Sequence, residues 1–132
     1  MRILMIRHGL PNYQQDALTP QGQMEARLLS CRLAGYDLGD CFSSPLGRAR
    51  ETAQLALRRT GQTPEELPWL AEFRGRYPDP DTGKDHLCWD ILPRLWTQYP
   101  ESFDPDRWAH IPLFQGGNVA DIWEETKAGV DS

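Results

Sequence analysis

The sequence predicts an α/β domain with a mainly parallel sheet, and two observations support this class. Residues 2–6 form a short apolar run typical of a buried strand, and the run of residues 40–43 is interpreted as a second short strand. A segment with helical periodicity follows each run, so predicted strands and helices alternate along the chain. The length of 132 residues fits one domain. Because active sites of such sheets lie beyond the carboxyl ends of the strands, the loops after both runs are candidate site segments.

Composition and charge exclude several classes of protein. Hydrophobic residues make up 39% of the chain and charged residues 25%, which is the balance of a soluble globular protein. The net charge of −5 argues against a general nucleic-acid binder, which needs a basic surface. No apolar run is long enough to cross a membrane, and Arg7 ends the opening run before it could form a signal sequence. Three cysteines without a CxxC pair favour a reducing cytoplasm over a disulfide framework.

The two predicted helices of the first half have clear start and stop signals. Thr19 is a suitable N-cap for the first helix, with Pro20 at the first helical position, and Gly35 marks its end. Ser44 and Pro45 repeat the same start signal for the second helix. Side chains recur at helical spacing in the two helices at Met24, Leu28 and Cys31, and at Leu46, Ala49, Ala53, Ala56 and Thr60.

The second half is less regular, because prolines punctuate it. We expect a short extended segment over residues 67–72 and a helix over residues 86–98, interrupted by Pro93. Asn118 is a suitable N-cap for a final helix over residues 119–128. Four tryptophans are expected to pack this half together: Trp89, Trp96, Trp108 and Trp123. For Trp108, the alternative is that its side chain lines a pocket.

Polar residues that could carry chemistry follow both predicted strands. His8 stands beside Arg7, and a neighbouring cation disfavours a second positive charge, so a neutral, nucleophilic imidazole is expected. Gly9 allows a tight turn and the close approach of a ligand. Arg48 lies in the first turn of the second helix, where the helix N-terminus and a planar guanidinium both suit phosphate oxygens. The alternative for each arginine is a solvated charge, which is the preferred interpretation for Arg50, Arg58 and Arg59.

Taken together, these segments resemble the histidine phosphatase superfamily, whose fold is similar to that of phosphoglycerate mutase. The chain has the RHG of that family at residues 7–9 and its SSPLxRAxxTA at residues 43–53. Residues 18–22 look like the family's LTxxG helix start, although Glu25 replaces the usual glutamine. The resemblance covers residues 1–72 well and fades afterwards. It implies a three-layer sandwich, with helices on both sides of a mainly parallel central sheet.

The resemblance also implies roles for individual residues. His8 would attack phosphorus and form a phosphohistidine, while Arg7 and Arg48 would hold the phosphoryl oxygens without a metal or another cofactor. Glu72 matches the family's acid/base glutamate, with a solvated surface carboxylate as the alternative. Weaker alternatives for this acid are Asp79, Asp81 and Asp85. The amides of Asn12 and Gln14 are candidates for lesser phosphate contacts.

One part of the family pattern is missing, namely a second histidine after a late strand. His86 and His110 do not fit its sequence context, so both are interpreted as surface or packing histidines. We therefore expect a C-terminally truncated domain over residues 1–132, with its last strand or strands absent. Within it, residues 1–72 are the well-matched core, residues 73–118 an irregular substrate-side insertion, and residues 119–132 the start of a late helix.

The predicted function is that of a metal-independent, broad-specificity type of phosphatase that hydrolyses a small-molecule phosphate monoester through a phosphohistidine. The alternatives are a mutase of the phosphoglycerate type, and a truncated, weakly active or non-catalytic phosphate-binding domain. The expected partner is a small phosphorylated metabolite, or a phosphate or sulfate ion in the pocket. A homodimer is an open alternative, whereas nucleic acid and membranes are not expected partners.

Overall fold

The structure, a computed structural model, describes residues 2–131 and divides into two compact units, Met1–Ala71 and Glu72–Ser132. The first unit contains helices α1 (Pro20–Leu33) and α2 (Gly47–Leu57), which pack against each other. Its short strands pair in two ways. The strands β1 (Pro11–Asn12) and β2 (Ala17–Leu18) are antiparallel, and β3 (Phe42–Ser43) and β4 (Glu65–Glu66) are parallel.

Helix α1 begins as predicted, but it buries a different face. The Thr19 side chain accepts a hydrogen bond of 3.1 Å from the Gly22 amide, and Pro20 is the first helical residue. The predicted apolar positions Met24 and Leu28 are instead 60% and 65% exposed. The buried face consists of Gly22, Ala26, Ser30 and Leu33. Small residues make up most of this face, because they let the neighbouring backbone approach the helix closely.

Helix α2 also lies where the sequence predicts, but the face that it buries differs from the predicted one. It starts at Gly47, and the Ser44 hydroxyl accepts a hydrogen bond from the Leu46 amide just before it. Its buried residues are Arg48, Thr52, Ala56 and Leu57. Only Ala56 belongs to the predicted stripe, because a buried arginine and a buried threonine replace apolar side chains on the inner face.

The predicted strand over residues 2–6 is wrong in this structure. The described residues of this segment have no strand assignment, and Ile3 and Met5 are 72% and 94% exposed. A strand requires a hydrogen-bonded neighbour, and the strand pairs described within Met1–Ala71 join other segments of the unit. The second predicted strand is confirmed as β3, whose register pairs Phe42 with Glu65 and Ser43 with Glu66. Residues 67–72 contain a 3-10 turn, Pro68–Leu70, in place of the expected extended segment.

The second unit joins short elements around an aromatic core. Its strands β5 (Arg76–Pro78) and β6 (Asp85–Leu87) form an antiparallel pair, followed by the short helix α3 (Pro93–Trp96) and by α4 (Val119–Val130). The helix predicted over residues 86–98 is therefore mostly wrong, because β6 takes its first residues and α3 begins only at the proline. The final helix starts at Val119 as expected.

Aromatic side chains form much of the core of this unit. Tyr77 is 1% exposed and Phe114 is 5% exposed, with their ring centroids 5.7 Å apart. Trp96, Trp108 and Trp123 pack against this cluster, whereas Trp89 is 56% exposed and its indole donates to the Phe73 carbonyl. The predicted packing role is confirmed for the three inner tryptophans.

The fold class is mixed α/β, as predicted. Within residues 2–131 the strands form three two-stranded sheets, one parallel and two antiparallel, instead of a single central sheet. In the same part of the chain, no helix is long and apolar enough to cross a membrane.

Candidate active site

The segment that carries the predicted nucleophile is tied to helix α2 through its backbone. His8 is half-buried, and its Nδ1 lies 2.8 Å from the Gly9 carbonyl oxygen. The Gly9 amide donates to the Thr52 hydroxyl at 3.2 Å, and that hydroxyl donates to the Arg48 carbonyl at 2.7 Å. The backbone beside His8 is thereby anchored to the same helix turn that carries Arg48.

Two glycines bring this segment against helix α1. A Cβ on Gly9 would lie 2.6 Å from the Gly22 carbonyl oxygen, and one on Gly22 would lie 2.3 Å from the Leu10 carbonyl oxygen. The Leu10 amide donates to Glu25 at 2.9 Å, so the glutamate that replaces the family's usual glutamine acts as a backbone acceptor. His8 therefore lies next to a backbone segment, residues 9–10, that contacts both helices.

Arg48 is buried in the first turn of α2, and a carboxylate lies against that turn. Asp16 accepts from Arg48 Nη1 with Oδ1 and from the Gly47 amide with Oδ2, both at 2.6 Å. Its Oδ1 also lies 3.5 Å from the Arg48 amide nitrogen. These contacts hold the pKa of the Asp16 carboxyl below its ordinary value, with the bond from the Gly47 amide as the largest cause and partial burial opposing it.

Tyr13 contacts two of the candidate site residues of this unit, His8 and Arg48. The Arg48 guanidinium carbon lies 5.3 Å from the centre of the Tyr13 ring, within the range of a cation–π contact. The His8 ring meets the same tyrosine edge-on, with centroids 6.3 Å apart. The aromatic ring thus links the histidine and the arginine, although 66% of Tyr13 is exposed.

The remaining predicted site residues lie at or near the surface. Arg7 is exposed. The Asn12 Oδ1 accepts from the amides of Gln14 and Gln15, so this side chain stabilises the turn between β1 and β2. The Gln14 side chain is exposed in that turn. Glu72 is exposed and is the first residue of the second unit.

The acidic residues named as weaker alternatives have structural contacts of their own. Asp79 Oδ1 accepts from the amides of Asp81 and Thr82, which closes the turn between β5 and β6. Asp81 also pairs with Arg94. The Asp85 carbonyl accepts from Arg76 Nη2. Each of these interactions stabilises the second unit itself.

Three residues of the site were not found by sequence reasoning, namely Tyr13, Asp16 and Thr52. The partners of Asp16 and Thr52 lie far away in the sequence, at separations of 32 residues for Asp16 with Arg48 and 43 residues for Thr52 with Gly9. No local spacing signals such contacts. The one local indication is the SSPLxRAxxTA segment, in which Thr52 stands in the matched motif without an assigned role.

Chemically, the arrangement suits an anion more than a metal. A half-buried imidazole, a buried guanidinium and the N-terminus of an 11-residue helix are grouped in one part of the unit. Among residues 2–131, no group of three or more His, Cys, Asp and Glu side chains could hold a metal ion. A groove of about 220 Å³ lies elsewhere, between residues 4–6 and the Leu29, Leu33 and Tyr36 side chains.

Comparison with known proteins defines the family. The sequence pattern of the histidine phosphatase superfamily (branch 1) matches residues 3–114. The chain therefore belongs to this superfamily, as the resemblance of its motifs predicted.

The chain is also similar to two individual proteins over part of its length or of theirs. A 2-carboxy-D-arabinitol-1-phosphatase of Triticum aestivum is 31% identical over 64 residues, a match that covers 41% of this chain and 13% of that protein. The chain thus spans only a small part of that relative's length. The crystal structure of TTHB049 from Thermus thermophilus matches with a TM-score of 0.49 and 23% identity, covering 96% of this chain and 69% of that one.

Proposed function

We propose that the chain hydrolyses a small-molecule phosphate monoester through a phosphohistidine on His8. The observation that carries the proposal is the 2.8 Å contact between His8 Nδ1 and the Gly9 carbonyl oxygen. A carbonyl oxygen can only accept, so this contact is a hydrogen bond when Nδ1 carries the proton. The lone pair of the neutral ring is then on Nε2, which becomes the nucleophilic atom.

The first proposed step transfers the phosphoryl group to the enzyme. His8 Nε2 forms a bond to phosphorus as the ester P–O bond breaks, and the leaving oxygen takes a proton from Glu72. Arg7 and Arg48 bind the phosphoryl oxygens, with Asn12 and Gln14 as lesser contacts. Two guanidinium groups supply charge stabilisation that other phosphatases obtain from metal ions.

The second proposed step releases phosphate. Water attacks phosphorus and loses a proton to the Glu72 carboxylate, the P–N bond breaks, and inorganic phosphate leaves. Hydrolysis is proposed over isomerisation because the Triticum aestivum relative is named as a phosphatase. A mutase would return the phosphoryl group to a second hydroxyl without releasing phosphate.

Two broader expectations belong to the same proposal. We propose a three-layer sandwich with a mainly parallel sheet as the fold type of this family, an arrangement that requires hydrogen-bonded strand partners for residues 2–6. We also propose a cytoplasmic location, supported by Cys31, Cys41 and Cys88, all of which are free thiols. Cell fractionation with detection of the protein tests the location.

The experiment compares hydrolysis of p-nitrophenyl phosphate by the full chain, His8→Ala and His110→Ala, in the presence of a chelator. His110 is exposed in the 3-10 turn Trp108–His110 and serves as the matched control. We expect His8→Ala to lose activity by at least about 1,000-fold, because the nucleophile is removed, while His110→Ala keeps it. Equal activity of the wild type and His8→Ala would overturn the proposal.

A trapping experiment tests the intermediate directly. Radiolabelled ester is mixed with the enzyme, quenched in alkali, and the protein is digested, because phosphohistidine is labile in acid. Label on the peptide that contains His8 is expected. Isomerisation of a phosphoglycerate without phosphate release would instead indicate a mutase.

A further inference from the structure

We propose that Asp16 is a positioning residue that acts through Arg48, holding its guanidinium and the first turn of α2 in the geometry that binds a phosphoryl group. The inference rests on the proposed function, because it assigns a role to a residue beside the site. Asp16 itself makes no bond to the substrate in this proposal.

The two oxygens of the Asp16 carboxylate accept hydrogen bonds from different groups. One oxygen, Oδ2, accepts from the Gly47 amide at 2.6 Å and satisfies an amide of the first helical turn. The other, Oδ1, accepts from Arg48 Nη1 at 2.6 Å. A carboxylate that joins a helix start to a guanidinium fixes the arginine relative to the helix axis, and charge-assisted bonds of this length are strong.

The backbone around Asp16 favours a single geometry. Its φ angle is +46°, in the left-handed region that few residues adopt other than glycine, asparagine and aspartate. A Cβ on Gly47 would lie 2.1 Å from the Asp16 carbonyl oxygen, so the turn and the helix start are in close contact. The carboxylate is therefore presented by a turn that packs directly against α2.

The Arg48 guanidinium has a second contact with Tyr13, whose ring centre lies 5.3 Å from the guanidinium carbon. Arg48 is 8% exposed, so a reorientation of its side chain would have to displace surrounding atoms. Preorganised donors contribute more to phosphoryl-group binding than donors that must be ordered on binding. This is the advantage that we assign to Asp16.

An opposing effect makes the proposal easy to test. A carboxylate near a phosphate repels it, so removing the negative charge of Asp16 would tighten phosphate binding if repulsion were dominant. A positioning role predicts the opposite result, namely weaker phosphate binding when the negative charge of Asp16 is removed. The variant Asp16→Asn separates the two effects, because asparagine also tolerates a positive φ and keeps one oxygen for the Gly47 amide.

The experiment measures the Kd of inorganic phosphate and the kcat and KM for p-nitrophenyl phosphate with the full chain. We expect Asp16→Asn to raise the Kd and the KM about 10-fold, the effect of losing one charge-assisted hydrogen bond. Asp16→Glu keeps the charge and should give an intermediate Kd. Asp37→Asn, at an exposed position, is the matched control and should bind phosphate as the wild type does.

A double-mutant cycle distinguishes positioning from a merely structural role. If Asp16 acts through Arg48, Asp16→Asn has little further effect on phosphate affinity once Arg48→Ala is present. Independent, additive effects on the Kd would overturn the inference, and so would unchanged or tighter phosphate binding by Asp16→Asn. If Asp16→Asn fails to fold, Asp16→Glu takes its place in the cycle, and additivity of its effect with that of Arg48→Ala decides against the inference in the same way.

The failure of this inference can be told apart from the failure of the proposed function. A wild-type chain that turns over ester and labels His8, while Asp16→Asn behaves identically, contradicts the positioning role alone. A wild-type chain that neither binds phosphate nor becomes labelled contradicts both.

Discussion

The amide of Gly9 donates a 3.2 Å hydrogen bond to the hydroxyl of Thr52, a residue 43 positions later in the chain. Thr52 is 5% exposed and donates its own proton to the Arg48 carbonyl at 2.7 Å. One hydroxyl thus connects the backbone beside His8 to the helix turn that carries Arg48. Since a hydroxyl can donate one bond and accept another, threonine satisfies both backbone groups at once.

Thr52→Val tests the importance of this connection. The substitution keeps the shape of the side chain but leaves the Gly9 amide without the hydroxyl, so we expect a loss of about 1–3 kcal/mol in the free energy of unfolding. We also expect a lower kcat, because the segment bearing His8 loses an anchor. Urea unfolding and p-nitrophenyl phosphate hydrolysis measure the two effects.

Thr126→Val is the matched control for that substitution. The Thr126 hydroxyl also donates to the carbonyl four residues earlier in its helix, at 2.8 Å, but it is in α4 and distant in sequence from the site residues. Its replacement should cost less than about 1 kcal/mol and leave kcat unchanged. Equal effects of the two substitutions would show that the contact with Gly9 contributes nothing.

Gly22→Ala tests the close approach between α1 and the segment after His8. Alanine normally favours a helix over glycine by about 1 kcal/mol, but here its Cβ would lie 2.3 Å from the Leu10 carbonyl oxygen. We therefore expect a net destabilisation of about 1–3 kcal/mol. Gly39→Ala, where a Cβ meets nothing within 4 Å, should stay within about 0.5 kcal/mol of the wild type in urea unfolding. A stabilised Gly22→Ala variant would contradict the described packing.

The Asp16 carboxyl predicts a specific dependence of stability on pH. The bond from the Gly47 amide, followed by the contacts with Arg48, lowers its pKa in the folded protein below the ordinary value of 3.8. A lowered pKa means that the folded state binds its proton less readily, so the stabilisation is present above pH 3.8 and disappears as the pH falls through the folded-state pKa.

The measurement compares urea unfolding of the wild type and Asp16→Asn from pH 7 to strongly acidic solution. The difference in the free energy of unfolding should be constant near neutrality and shrink below pH 3.8. A difference that grows on acidification would contradict the predicted sign.

Two of the cysteines, Cys31 and Cys88, should differ sharply in reactivity. Cys88 is 6% exposed, and burial raises the pKa of its thiol to about 11, while Cys31 is exposed. Because the thiolate is the reactive form, iodoacetamide at pH 8 should alkylate Cys31 first and Cys88 only after unfolding. Peptide mass spectrometry follows each site, with urea-unfolded protein as the control. Alkylation of both residues at the same rate in the folded protein would show that Cys88 is accessible.

Phe114→Ala tests the aromatic core of the second unit. Phe114 is 5% exposed, with ring contacts to Tyr77, Trp96 and Trp108 at centroid distances of 5.7–6.2 Å. Its truncation should cost about 3–5 kcal/mol and lower the urea midpoint, measured by tryptophan fluorescence. Phe103→Ala removes a ring that is 72% exposed and should change the midpoint little. Similar midpoints for the two variants would contradict the described core.

The parts of the fold that the sequence predicted correctly depend on local contacts. Thr19 caps α1 through a bond to an amide three residues away, and the start of α2 after Pro45 follows from the same kind of signal. The predicted helix faces were less accurate, because burial is decided by what packs against the helix. Residues 2–6 show the same limit, since an apolar run becomes a strand only when a neighbour supplies hydrogen bonds.

By itself, the sequence determined the superfamily, the mixed α/β class and the candidates His8 and Arg48, because these follow from short motifs and from local helix signals. Only the tertiary structure decided that Asp16, Tyr13 and Thr52 lie against those residues. The physical reason is that a hydrogen bond across 32 or 43 residues depends on the packing of two helices and a turn, which no local spacing encodes.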